Sequence, residues 1–175
     1  DSVDLVRELA EARSRGIEII TQDDDAYPEA LRHMYDPPLA LYVWGKLTPA
    51  DKHAIAVVGS RRTTHYGQSV AHTLSRDLAR TGLTIISGLA RGIDTCAHKG
   101  AIDAGGRTIA VIGSGLGQLY PPENMSLAEQ IADGNGAVIS EFSLSHPPDK
   151  KTFPMRNRIV AAWSSGVLVC ECPKW

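Results

Sequence analysis

From residue 54 onward, short apolar runs alternate with longer segments of mixed polarity. Four runs rich in Val and Ile are each followed at once by a polar or glycine-rich loop; they are Ala54–Val58, Leu83–Ile86, Thr108–Ile112 and Ala137–Ile139. A fifth run, Val167–Glu171, comes near the end of the chain. Continuous short apolar runs are typical of strands that are buried on both faces of a parallel sheet.

Helices are predicted between these strands, near residues 66–81, 94–104, 124–132 and 156–164. Asp94 and Asn124 are good candidates for helix N-caps because their side chains can accept backbone N–H groups. Alternation of strand and helix indicates βαβ units, so the fold class is α/β with a doubly wound, mostly parallel sheet. No helix is predicted after the last strand, so we expect the sheet domain to be incomplete at its C-terminal end.

A short leader precedes this alternation. Residues 3–15 carry apolar side chains at helical spacing, and Gly16 ends the pattern. Two short strands are predicted after it, at residues 17–20 and 39–44, separated by turns containing proline. The leader is therefore predicted to be a helix followed by two strands.

Composition narrows the class of protein. The chain has 175 residues, of which 43% are hydrophobic, enough for one domain with a real core. Three cysteines give no disulfide framework, and we predict no metal site. No signal peptide and no membrane-spanning run is visible. These features predict a cytoplasmic protein without a membrane partner.

Charge is distributed unevenly along the chain. Residues 1–36 contain ten acidic and four basic side chains, a difference of −6. Residues 37–175 contain ten acidic and fourteen basic side chains, a difference of +4, so the two parts sum to the overall charge of −2. The sheet domain is thus mildly basic, and the position of its cations matters more than their number.

The basic and glycine-rich segments follow predicted strands. They are Gly59-Ser-Arg-Arg62, Ser87–Asp94, Gly113-Ser-Gly115 and, beyond Ser140-Glu141, Lys150–Arg158. Loops at the carboxyl ends of parallel strands share one edge of the sheet, where ligands bind. We therefore expect the cations to line one groove that binds a phosphate-bearing ligand.

The loop sequences argue against two common phosphate-binding sites, the dinucleotide site and the P-loop. No dinucleotide fingerprint and no P-loop is present, so no nucleotide cofactor is predicted. In Ser87–Asp94 the glycines could direct N–H groups at an anion or merely allow close packing. Asp94 is expected chiefly to cap a helix, a catalytic pair with His98 being the alternative, and Gly113–Gly115 could be a phosphate nest or a tight turn.

Lys150–Arg158 contains four cations, no acid and Phe153. Cations beside an exposed aromatic ring are typical of single-stranded nucleic acid binding, because cations contact phosphates and the ring stacks on a base. A core position for Phe153 is the alternative. Arg158 is expected to pair with Glu141 or Glu171 rather than to contact DNA.

Several motifs in one order resemble the DNA-processing protein A (DprA/Smf) family over residues 17–171. They are Val57-Val-Gly-Ser-Arg-Arg62, Tyr66-Gly67, Ser87–Asp94, Ala97-His98, Tyr120-Pro121, Ser140-Glu141 and Phe153–Ile159. The resemblance implies an extended Rossmann-like fold that binds single-stranded DNA. It also implies a role in natural transformation, in which the protein protects incoming strands and helps to load the RecA recombinase, without catalysis or cofactor.

By resemblance, the DNA contacts include Arg61, Lys150 and Phe153. Together with the loop chemistry this gives eight predicted nucleic-acid-binding residues: Gly59, Ser60, Arg61, Gly88, Arg91, Lys150, Phe153 and Arg156. Residues 1–16 are predicted to be the remnant of a small helical domain, and residues 17–175 to form the Rossmann-like domain. A homodimer is a further expectation, although family contacts to a second copy and to RecA are expected mainly beyond residue 175.

One rival function belongs to a different class. A Rossmann-like hydrolase acting on a nucleoside monophosphate would also need glycine-rich phosphate loops and a nearby acid. Glu141 is the best candidate for that acid, although the loop patterns of such hydrolases are absent.

Overall fold

A computed structural model describes residues 4–172 of the chain. Val3, assigned above to the first helix, and residues 173–175 of the predicted sheet domain lie outside the described residues. A single seven-stranded sheet runs through the described part, in the order β1-β2-β6-β5-β4-β3-β7. The strands are β1 (Ile17–Thr21), β2 (Ala40–Gly45), β3 (Ala54–Gly59), β4 (Thr84–Ser87), β5 (Thr108–Val111), β6 (Gly136–Ser140) and β7 (Val167–Glu171).

Five of these strands are parallel, as predicted. β6, β5, β4, β3 and β7 pair in parallel, whereas β2 pairs antiparallel with β6 and β1 antiparallel with β2. β4, β5 and β6 lie successively on one side of β3, and the chain then returns to place β7 on the other side. In such a doubly wound sheet, ligands bind at the carboxyl edge near the point where the order reverses.

Helices cover both faces of the sheet. They are α1 (Leu5–Ser14), α2 (Glu29–Arg32), α3 (His65–Arg80), α4 (Ile93–Asp103), α5 (Met125–Gln130) and α6 (Thr152–Trp163). Successive residues of β3 show the two layers, because Ala56 packs with α6 and α2, whereas Val57 packs with α3 and α4. Right-handed crossovers explain this, because the return from β6 to β7 puts α6 on the opposite face from α3 and α4.

Helix α1 lies where it was predicted but with its apolar side outward. Leu5 and Val6 are 70% and 80% exposed, whereas Ala12 is buried and packs with α5. The buried Glu8 accepts a hydrogen bond from the amide of Leu144 at 2.7 Å. One polar anchor and small side chains therefore attach α1 to the sheet. Within residues 4–172, no helix is long and apolar enough to cross a membrane.

Helix α6 begins at Thr152, four residues before the predicted start. Asp149 explains the early start, because its carboxylate accepts the amide of Lys151 at 2.7 Å and its own amide donates to the hydroxyl of Thr152 at 3.3 Å. Pro154 is tolerated because it falls in the first turn, where its missing N–H costs nothing. The predicted start at residue 156 is therefore wrong, and Phe153 lies in the first turn.

Candidate nucleic-acid interface

An open groove of about 500 Å³ lies at the carboxyl edge of the sheet, beside the first turns of α6. We call it the carboxyl-edge groove. Its lining consists of Arg61, Tyr120, Pro148, Lys150, Phe153, Pro154, Arg156 and Asn157. The structure thus brings together four of the eight predicted residues, Arg61 from the loop after β3 and three residues from the segment at the start of α6. Gly88 and Arg91 line a smaller pocket beside it, which also contacts Arg61 and Phe153.

Arg61 is held at the groove by the loop between β3 and α3. The amide of Ser60 donates to the carbonyl of Glu171 at 2.8 Å. The Glu171 carboxylate accepts the amide and the hydroxyl of Thr64, both at 3.1 Å. These bonds tie both ends of the loop to the end of β7, so Arg61 projects from a fixed turn while remaining exposed. The Ser60 hydroxyl donates to the carbonyl of Arg62 at 2.7 Å, so it serves the turn itself.

Phe153 is placed by the contact of α6 with the end of β5. The hydroxyl of Thr152 donates to the carbonyl of Gly113, which anchors the first turn of the helix. A side chain at Gly113 would collide with the ring, because its Cβ would lie 2.9 Å from Cδ1 of Phe153. The ring is half-buried and faces the groove, and Lys150 is exposed just before the helix.

Two adjacent aromatic rings, each with an arginine over it, form a row that runs from the groove into the smaller pocket in the order Arg61, Phe153, Tyr120, Arg91. The guanidinium carbon of Arg61 lies 5.1 Å from the centre of the Phe153 ring. The rings of Phe153 and Tyr120 are 5.8 Å apart, and the Arg91 guanidinium carbon is 5.8 Å from the Tyr120 ring. We call these four residues the cation–aromatic row. Sequence reasoning used Tyr120 only as a motif residue and missed its place in the row.

The two ends of the row differ in charge balance. Arg91 forms an ion pair with Glu123, and both side chains are about half exposed. The hydrogen bond from Arg91 lowers the pKa of the Glu123 carboxyl below its usual range. Arg61 and Lys150, in contrast, have no ion-pair partner within residues 4–172. The unneutralised positive charge is therefore at the Arg61 end.

Arg156, predicted to contact DNA directly, is only 4% exposed. Its Nη1 donates to the carbonyl of Gly88 at 2.7 Å and also to that of Val111. Burial lowers the pKa of Arg156 to about 10, against the opposing attraction of Asp94. At neutral pH it remains a cation. Its hydrogen bonds attach α6 to the ends of β4 and β5, which makes it a positioning residue beneath the groove.

Gly88 and Asp94 also depart from their predicted roles. The N-cap of α4 is Gly92, with φ of 80°, so the capping role predicted for Asp94 is wrong. Asp94 instead accepts the amides of Gly88 at 3.1 Å and Ala90 at 3.3 Å. The Gly88 amide is therefore not directed at a phosphate. A Cβ on Gly88 would meet the Arg156 guanidinium at 2.5 Å, so this glycine serves close packing.

Gly59 likewise serves packing, because its Cβ would lie 2.6 Å from Ile93. In the Gly113–Gly115 loop the amide of Gly115 donates to the carbonyl of His146 at 2.9 Å, which fits the tight turn rather than the phosphate nest. These glycines allow the loops to approach one another closely. The amides of Gly88 and Gly115 are thus engaged within the protein.

The residues of the two catalytic alternatives are engaged in other hydrogen bonds. His98 is fully buried and its Nδ1 bonds to Oγ1 of Thr108 at 2.7 Å, so the pair with Asp94 does not form. Burial lowers the pKa of His98 to about 3. Glu141 accepts two hydrogen bonds of 2.6 Å from Arg158, which confirms the expected ion pair. The acid needed by the hydrolase alternative is therefore engaged by a guanidinium.

Comparison with known proteins finds relatives that carry the names Smf and DprA. Protein Smf of Escherichia coli is 44% identical over 153 residues, which are 87% of this chain and 41% of that protein. The DNA processing protein DprA of Bacillus subtilis is 42% identical over 168 residues, which are 95% of this chain and 56% of that protein. The chain thus spans about half the length of the curated relatives that it matches.

Solved structures agree with the fold. DNA processing protein A of Streptococcus pneumoniae superposes with a TM-score of 0.83 at 39% identity, covering 95% of this chain and 58% of that one. The protein from Helicobacter pylori, whose structure is described in terms of its single-stranded DNA binding mode, gives a TM-score of 0.76 at 34% identity, covering 87% and 68%. Residues 18–174 match the model of the DNA recombination-mediator protein A family, and the chain therefore belongs to that family.

Proposed function

We propose that the carboxyl-edge groove binds single-stranded DNA. The observation that carries this proposal is the Arg61 guanidinium over the Phe153 ring, in an open groove with the exposed Lys150. Two cations without carboxylate partners within residues 4–172 are suited to successive phosphates. The half-buried ring beside them is suited to a base. This combination is the usual one for unpaired strands.

The ring accounts for the preference for an unpaired strand. Phe153 lies inside the groove between Arg61 and Tyr120, so a base must leave a duplex stack to reach it. Stacking on a side chain is tolerant of sequence, because every base has a π-face. The groove should therefore bind oligonucleotides with little sequence preference and favour single strands over duplexes. The DNA binding described for the Helicobacter pylori protein supports the same ligand class.

For the whole protein, we extend the proposal on the family resemblance. The groove would protect unpaired strands during natural transformation and present them for RecA loading, without catalysis. Contact with RecA and formation of a homodimer are parts of this proposal that need their own tests. A pull-down of RecA in the presence and absence of oligonucleotide, and light scattering of the free chain, are the direct measurements.

The test of DNA binding is fluorescence anisotropy with a labelled dT oligonucleotide and with its duplex, across a salt series. Affinity should fall steeply as salt rises, because bound phosphates release counterions. Arg61→Glu and Lys150→Glu should each weaken binding about 100-fold, since each loses a phosphate contact and adds repulsion. The matched control is Lys52→Glu, an equal charge change at an exposed residue of a different cavity.

Thermal melts of all three variants check that they fold. Equal weakening by Lys52→Glu would show that only total charge matters, and would contradict the proposed groove. Binding of duplex as tightly as of single strand would contradict the role of the ring.

A further inference from the structure

Building on the proposed function, we propose that Glu123 limits the affinity of the carboxyl-edge groove for unpaired DNA. It does so by holding Arg91, the last cation of the cation–aromatic row, in an ion pair that a phosphate must displace. In this arrangement Arg91 contacts the strand only after its ion pair with Glu123 has broken. Glu123 is thus an affinity-determining residue that does not itself contact DNA.

The structure fixes both partners of the pair in place. Glu123 lies in the turn Pro122–Asn124, next to Asn124. The Asn124 side-chain amide donates to the carbonyl of Leu89 and to Oγ1 of Thr95, both at 2.9 Å. These bonds tie the turn that carries Glu123 to the loop that carries Arg91. The carboxylate is therefore positioned at Arg91 by the fold rather than by chance proximity of two long side chains.

Arg91 is also within reach of the row. Its guanidinium carbon lies 5.8 Å from the Tyr120 ring, which is 5.8 Å from Phe153. Arg91 lines the same small pocket as Arg61 and Phe153. A strand whose base reaches Phe153 therefore brings its neighbouring phosphates close to the Arg91–Glu123 pair.

Because both side chains are partly exposed, a phosphate can replace Glu123 as the partner of Arg91. The two side chains are 54% and 48% exposed, and ion pairs of this kind contribute little to stability. A phosphate with its condensed counterions can compete for such a guanidinium. While Arg91 stays with Glu123, it releases no counterion on binding, so it adds nothing to the salt dependence.

The opposite end of the row provides the contrast. Arg61 stacks on Phe153 as Arg91 stacks on Tyr120, yet no carboxylate pairs with Arg61 within residues 4–172. The two arginines therefore differ in their counter-ion rather than in their stacking. Removing the acid at Glu123 should make the two ends of the row alike.

The test is a double-mutant cycle of Glu123→Gln and Arg91→Gln, measured by anisotropy with a dT oligonucleotide over a salt series. Glu123→Gln should tighten binding about three- to tenfold and steepen the salt slope by about 0.7, the value for one more contact on a single strand. Arg91→Gln alone should weaken binding by no more than about threefold, because the strand loses no contact and only the screened repulsion of the uncovered Glu123 carboxylate is added. In the double variant the gain should disappear. The matched control is Glu129→Gln, an exposed acid on the neighbouring helix α5.

The outcomes separate the two proposals. If the parent binds and Glu123→Gln gains no more than Glu129→Gln, the inference is overturned and the proposed function stands. The inference is equally overturned if the gain survives in the double variant, since Glu123 would then act by long-range repulsion alone. If the parent does not bind the oligonucleotide at low salt, the proposed function fails and the inference fails with it.

Discussion

Arg61 and Arg156 line the same groove and yet have opposite surroundings. Arg61 is exposed, stacks on Phe153 and has no acidic partner within residues 4–172. Arg156 is buried, donates to two backbone carbonyls and is attracted by Asp94. One guanidinium is available for a ligand, whereas the other is consumed in holding α6 against the sheet.

The difference shows that a basic residue near a binding groove has to be judged by its hydrogen bonds. A buried charge is stable only when it is paired and hydrogen-bonded, so Arg156 is saturated by the protein itself. An exposed cation such as Arg61 loses little by exchanging water for a phosphate. The comparison separates a proposed binding layer at the surface of the groove, with Arg61 and Phe153, from a supporting layer of buried residues below it, with Arg156, Asp94 and His98.

The largest expected effect comes from breaking the supporting layer. Arg156→Ala should lower the free energy of unfolding by about 3–5 kcal/mol, because Asp94 is left as a buried carboxylate without its cation. Urea denaturation monitored by circular dichroism measures the change. Arg156→Lys keeps the charge but loses the forked donors, and should fall between parent and Ala.

Arg61→Ala is the control from the binding layer, and it should change stability by no more than about 0.5 kcal/mol. Similar losses for Arg61→Ala and Arg156→Ala would erase the distinction between the layers. If Arg156→Ala fails to fold, Arg156→Lys still carries the comparison.

This distinction also shows what could be predicted from the sequence. The parallel sheet, its carboxyl-edge loops and the Arg158–Glu141 pair were predictable, because apolar runs, chain topology and isolated charges leave few alternatives. Whether Arg156 is at the surface was not predictable, because that depends on where α6 begins. Asp149 and Thr152 shift the start by four residues, so Arg156 lies in the second turn of α6, where it reaches the carbonyls of Gly88 and Val111.

Roles of the loop residues were hidden for a related reason. Asp is a residue type that is common at N-caps, but the N-cap of α4 is Gly92. The Asp94 carboxylate instead accepts the amides of Gly88 and Ala90. Tyr120 becomes part of the site only through its contacts with Phe153 and Arg91. Both facts depend on loop geometry rather than on periodicity.

The second prediction uses the pH dependence of folding stability to test the supporting layer alone. Burial lowers the pKa of His98 to about 3, below its unfolded value of about 6.5. The unfolded chain therefore takes up this proton first as pH falls, so the contribution of His98 to stability is complete above pH 6.5 and is lost progressively toward pH 3. Between pH 7 and pH 5 the loss from this residue should be about 2 kcal/mol.

Comparing the parent with His98→Asn isolates this contribution, because the amide can replace Nδ1 at Thr108 and cannot be protonated in this range. Asp94, whose pKa is raised by burial, titrates in both proteins. His65→Asn, at an exposed position, is the control. Parallel loss of stability in the parent and in His98→Asn over pH 7 to 5 would show that the imidazole titrates normally.

The third prediction concerns the binding layer and has the smallest expected energy. Phe153→Ala should weaken binding of a dT oligonucleotide about tenfold, or about 1.4 kcal/mol, because one base loses its stacking surface. The salt slope should stay constant, since no phosphate contact is removed. Phe153→Trp should bind at least as tightly as the parent, because it keeps an aromatic face in the same groove.

Phe142 is a natural control for this prediction. It is the other phenylalanine of the chain, also half-buried, and its ring stacks on His146 at 4.7 Å instead of lining the groove. Phe142→Ala should therefore leave affinity within about twofold of the parent, even if the variant is less stable because it loses the packing of the Phe142 ring. If Phe142→Ala loses more affinity than Phe153→Ala, the bound bases contact the Phe142–His146 stack rather than the carboxyl-edge groove. That result would contradict the proposed binding layer. A change of salt slope in Phe153→Ala would mean that the ring acts by holding Arg61 in place rather than by stacking on a base.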